Sequence, residues 1–132
     1  MRRDVRRGRR VFEFNDARRT LPLVKRILAD ALEARRETLR LRKASPSGGV
    51  ALAEKCEAAA ALIAEGRKLG VDILDGPAGA AGFPTIVNGS LAYFIYRHED
   101  DDIYAWRYRD QPTLRPIPGS WYDPPLVRDE VE

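Results

Sequence analysis

The stretch Asn15–Lys43, NDARRTLPLVKRILADALEARRETLRLRK, is the longest run in the chain with one consistent period. Val24, Ile27, Leu28, Ala31 and Leu32 recur at three- and four-residue steps, which places them on one face of an amphipathic helix. Lys25, Arg26, Asp30, Glu33, Arg36, Glu37 and Arg40 fill the other face. Asn15 and Asp16 suit a helix N-cap, with Phe14 placed as a hydrophobic staple. Pro22 follows Leu21 and is costly in a helix interior. The expectation is therefore a short turn over 16–20, a bend, and a fresh helix start near Thr20. Ser45-Pro46-Ser47-Gly48-Gly49 stops the helix. The late arginines Arg35, Arg36, Arg40 and Arg42 suit its C-terminus, where carbonyls carry partial negative charge.

Val50 to Leu69 reads as a second helix, with Leu52, Cys56, Ala59, Ala60, Ile63 and Gly66 along one stripe. So short a link implies an antiparallel hairpin of helices over 15–69. Cys56 falls on the inner stripe and reads as a small core residue.

Past Gly70 the pattern turns to strands. Val71–Asp75 alternates loosely, and Gly76–Gly82 reads as a loop without phosphate-cradle spacing. Phe83–Val87 and Leu91–Tyr96 flank Asn88-Gly89, a strong signal for a tight hairpin because both central residues need positive φ. Leu91–Tyr96 is apolar on both faces and should be a central strand. Ile103–Arg109 is a further strand, with Tyr104, Trp106 and Tyr108 on one face and Arg107 and Arg109 on the other. Beyond Asp110, Pro112, Pro116, Pro118, Pro124 and Pro125 predict an extended segment anchored by Trp121. The fold class is α+β: an antiparallel two-helix hairpin packed on a small antiparallel sheet. One domain is expected over 12–118, with its sheet over 70–110. A basic unstructured tail over 1–11 precedes it, and an extended tail over 119–132 follows.

The 132 residues suffice for one modest core. No apolar run reaches the roughly 20 residues a membrane-spanning helix needs, no secretory leader is visible, and one cysteine excludes an internal disulfide. These features point to the cytoplasm. Net charge is +3, but Arg2, Arg3, Arg6, Arg7, Arg9 and Arg10 against Asp4 put +5 into residues 1–10, which leaves 3 − 5 = −2 for the rest. That tail reads either as an arm for nucleic acid or as a plain extension.

The opening Phe14…Ala17…Leu21-Pro22…Val24 and the helical hairpin after it resemble the uncharacterised bacterial family known as domain of unknown function 2203. The Gly70-Val71 break, Phe83-Pro84 before Gly89, the strands Tyr93–Arg97 and Ile103–Trp106, and Arg115-Pro116 resemble its second half. The resemblance spans about residues 12–118. It implies two helices on a small antiparallel sheet and no assigned activity. The family's Cys-Trp stands here as Ile95-Tyr96, and its Trp-His as Trp106-Arg107.

His98 is the single histidine, so neither a zinc set nor a Ser-His-Asp or Cys-His set assembles around it without spending it. Glu99–Asp102 reads as a solvated turn, and no motif asks for a cofactor or metal. The best binding constellation is Arg97, Asp100, Tyr104, Trp106, Arg107, Tyr108, Arg109 and Arg115, where rings interleaved with arginines can stack bases and hold phosphates. Three readings follow. The first is a non-catalytic cytoplasmic module that forms homodimers. The second is an RNA- or DNA-associated protein. The third is an enzyme of unrecognised type around Asp100, Trp106 and Arg115.

Overall fold

The structure is a computed structural model that describes residues 3–4, 9–44, 49–75 and 79–122. Expectations for Arg2, Arg6, Arg7, the Ser45–Gly48 stop, residues 76–78 and residues 123–132 lie outside the described residues. In chain order the elements are β1 (Arg3–Asp4), β2 (Arg9–Arg10), α1 (Phe14–Ala44), α2 (Val50–Lys68), β3 (Asp72–Asp75), β4 (Ala80–Val87), β5 (Ser90–Arg97), β6 (Ala105–Tyr108) and β7 (Arg115–Pro116). A 3-10 turn, Gly119–Trp121, follows. The class is α+β, two helices followed by an antiparallel sheet.

α1 runs unbroken through Pro22, against the expected bend near Thr20. Phe14, Ala17, Leu21, Val24 and Leu28 are all buried and keep a single helical phase across the proline. Burying each large side chain among them contributes about 1.5–3 kcal/mol. Together they outweigh the roughly 3 kcal/mol an interior proline costs. The Thr20 hydroxyl donates to the Asp16 carbonyl at 3.0 Å, so Thr20 sits inside the helix instead of capping a new one.

β3 to β7 form a five-stranded meander in sequence order, one strand more than the expected ladder and reaching past residue 110. The extra strand is the Arg115–Pro116 edge, paired to Trp106 and Ala105. An edge position tolerates Pro116 because one side needs no donor. The β4–β5 turn is the tight hairpin the sequence predicts: Val87 pairs with Ser90, and Asn88 and Gly89 take φ of 52° and 80°. β5 lies in the middle of the sheet and is buried from Ala92 to Tyr96. At Gly82 an added Cβ would lie 2.7 Å from Leu74 Cδ1 and 2.8 Å from Tyr93 Cδ1, so this position admits no side chain without repacking.

The core lies between one sheet face and the first half of α1. Phe83, Phe94, Tyr96 and Trp106 project from the sheet; Phe14, Leu21, Val24 and Leu28 meet them from the helix. Phe12 precedes α1, donates its N–H to the Pro84 carbonyl at 2.8 Å, and sets its ring edge-on to Phe83 at 5.2 Å. Within the segment expected as a tail, Arg3 pairs with Arg10 and Asp4 with Arg9, and Val11 is buried. At the other end Tyr122 is buried and its hydroxyl donates to the Ile103 carbonyl at 2.9 Å.

α2 corrects the expected stripe. Leu52, Ala59, Leu62 and Gly66 are the positions shielded from solvent, whereas Cys56, Ala60 and Ile63 are exposed. Gly66 sets this phase, because it lies against the Ile73 side chain at a distance where an added Cβ would make contact at 3.5 Å. Cys56 is ten residues earlier, almost a quarter turn off that line, and is a surface thiol rather than a core residue.

Candidate functional site

The alternation of β5 and β6 sorts the candidate residues onto two faces. Phe94 pairs with Trp106 and Ala92 with Tyr108, which places both aromatics on the helix side. Trp106 is 8% exposed. Its ring stands 4.9 Å from Tyr108 and 6.0 Å from Trp121, and Trp121 in turn reaches Phe94 at 6.2 Å. The Arg115 guanidinium lies 5.5 Å over Trp106 and 5.2 Å over Tyr108 and donates to Gln111 Oε1. Trp106, Tyr108 and Arg115 therefore come together, as a packed wall. Beside it a cleft of about 500 Å³ opens between Phe14, Asn15, Ile86, Asn88 and Trp121. Asn88, on its lining, donates from Nδ2 to the Tyr108 hydroxyl at 3.0 Å.

Tyr104 does not join this wall. It precedes β6, is exposed, and donates its hydroxyl to Asp101. That bond holds the Asp101 carboxyl below the usual carboxylate range and, with burial and nearby carboxylates adding to it, pushes the Tyr104 phenol up to about 12. Arg97 pairs with Asp100 at 3.4 Å within the turn after β5. Asp100 is thus engaged in that turn, while Trp106 and Arg115 engage each other. Arg107 and Arg109 occupy the opposite sheet face. Arg107 stacks over Tyr93 at 5.5 Å, and its Nη1 donates to the carbonyls of Tyr108, Arg109 and Gln111 at 3.2, 3.1 and 3.3 Å. It clamps the β6–β7 turn.

One interaction had no local signal in the sequence. Arg18 on α1 grips Asp102 through Nε–Oδ1 (3.2 Å) and Nη2–Oδ2 (2.8 Å), across 84 residues of chain. Asp102 also accepts the Ile103 N–H at 2.7 Å, and Lys25 donates to the Asp101 carbonyl at 2.8 Å. The acidic turn is therefore bolted to the helix, and the hydrogen bond to Asp102 raises the Arg18 pKa. Arg18, Arg19, Pro22, Lys25 and Asp102 line a shallow cleft of about 360 Å³ there. Among the described residues, no group of three His, Cys, Asp or Glu side chains is placed to hold a metal ion.

The distal half of the helical hairpin forms a third surface. Beyond Leu28, α1 has no buried residue, and α2 has only Gly66. Leu39, Val50 and Ile63 are 45%, 75% and 37% exposed. Ala53, Cys56, Ala60 and Ile63 make an outward seam at steps of three and four residues beside the one that faces α1.

Fold and surfaces together define a small α+β module: a helical hairpin seated by its base on a five-stranded antiparallel meander. The chain belongs to the family of uncharacterized conserved proteins DUF2203, whose model matches residues 10–113. No curated protein and no solved structure matches it. Among the described residues, no helix is long and apolar enough to cross a membrane.

Proposed function

We propose that the protein is a non-catalytic interaction module that homodimerises by packing two distal helical hairpins into a four-helix bundle. The exposure of the hairpin beyond Leu28 carries this reading. From Ala29 to Ala44, α1 has sixteen residues, about 24 Å of rod, with α2 alongside and only Leu32, near its base, close to Gly79. Two helices leave each apolar seam half-covered: Ala31, Leu32, Ala34 and Leu41 of α1 are only partly buried. Helical stability rests on burying such faces. A second hairpin supplies what one sheet-anchored pair lacks. The face is about 24 Å by about 20 Å, on the order of what each partner of a standard interface covers. A surface thiol at Cys56 suits a reducing, cytoplasmic setting.

Ile63→Glu tests it, since Ile63 is exposed and the substitution leaves the monomer fold intact. The parent chain should sediment as a dimer at micromolar concentration and the variant as a monomer with an unchanged circular dichroism spectrum. A parent that is monomeric throughout that range sinks the reading.

A further inference from the structure

We propose that the sheet face turned away from the helices, with the base of the β1–β2 ribbon, binds the phosphate backbone of single-stranded nucleic acid. The alternation that buries Phe94 and Trp106 puts Tyr93, Ile95 and Arg97 of β5 on this other face, with Arg107 opposite Tyr93. Arg109, whose backbone N–H bonds to the Leu91 carbonyl, continues the row. Arg10 arrives from the far end of the chain: it lines one small cavity with Tyr93, Leu91 and Arg109. Its own guanidinium is fixed by a 3.0 Å bond to the Leu69 carbonyl and by the Phe12 ring at 4.0 Å. The ribbon is thereby anchored where the arginine row begins, and two basic groups 99 positions apart share one surface.

The charges favour a polyanion. Residues 11–132 carry 3 − 5 = −2, so an arginine row stands against the sign of the body. Of the carboxylates near it, Asp72 accepts the Tyr93 hydroxyl at 2.9 Å and Asp100 pairs with Arg97. Arg109 is exposed and has no ion-pair partner among the described residues. Arg107 uses Nη1 for its carbonyls, which leaves Nε and Nη2 to donate. Arg107 and Arg109 are about 6.8 Å apart along the strand, a spacing that successive phosphates of an extended single strand can match. Trp106 is buried and Tyr108 half-buried on the opposite face, turned away from the arginine row, so recognition there runs through phosphates.

Fluorescence anisotropy with labelled oligouridylate tests the proposal. It rests on a different face from the one proposed for dimers. Affinity should fall about 50-fold between about 50 and about 200 mM salt, as four neutralised phosphates require at a slope of about 0.7 each. Arg109→Gln should weaken binding several-fold and flatten that slope by about 0.7. Arg35→Gln, equally exposed but on the helical hairpin, should change nothing. No binding at the lower salt overturns the proposal, and so does an equal loss in both variants. Tighter binding to phosphatidylserine vesicles, with the same dependence on Arg109, would overturn it in favour of a membrane surface.

Discussion

At Asp101 and Tyr104 the two partners of one hydrogen bond move in opposite directions. The carboxylate is favoured by the donated hydroxyl, and the phenol holds its proton because ionisation would break the bond and set two negative charges together. The phenol's folded pKa of about 12 lies above its ordinary value of 10.0. The contribution to stability is therefore complete below about 10 and is lost as pH rises through about 12. In an ultraviolet titration, the difference between the parent and Tyr104→Phe should show one phenol ionising near 12. A difference curve centred near 10 would mean the bond does not hold in solution. Alternation alone places Tyr104 in the aromatic row of Trp106 and Tyr108. The strand begins at Ala105, one residue too late to keep Tyr104 in register. The three carbonyl partners of Arg107 belong to a turn whose path no local pattern specifies.

Among the elements, α1 shows burial overriding propensity. Pro22 predicts a break, because a missing N–H weakens any isolated helix. The side chains around it nevertheless pack on Phe94, Tyr122 and their neighbours in one phase. Pro22 itself is exposed, so its ring contributes little to the core. Pro22→Ala should restore a donor for the Arg18 carbonyl and stabilise the protein by about 1–3 kcal/mol in urea unfolding. An unchanged or lowered midpoint would show that α1 is bent at this point. The β4–β5 hairpin is the opposite case. Its turn chemistry is local, so Asn88-Gly89 alone specifies both the turn and the pairing of Val87 with Ser90. Alternation then carries that register along the strands to the central position of β5.

At the scale of the molecule, the sheet core ends near Leu28 and the helical hairpin continues past it. Cys56 reports on this region, because it lies on the outward seam with Ala53, Ala60 and Ile63. Alkylation of Cys56 without denaturant should be fast in dilute protein and should slow several-fold as concentration enters the dimer range. Slowing that persists in Ile63→Glu would locate the protection elsewhere. The charge distribution is equally uneven. Arg18 and Lys25 hold the acidic turn to α1 on one side, and Arg10, Arg107 and Arg109 gather on the sheet face away from it.

Periodicity, the Asn-Gly turn and the proline-rich end were enough to establish a helical hairpin, an antiparallel sheet and a buried central strand, because each depends on side chains within a few positions of one another. Packing alone settled the helical phase of α2, the surface position of Cys56 and the passage of α1 through Pro22. Those outcomes turn on contacts such as Gly66 with Ile73 and Arg18 with Asp102, between groups that the linear pattern keeps apart.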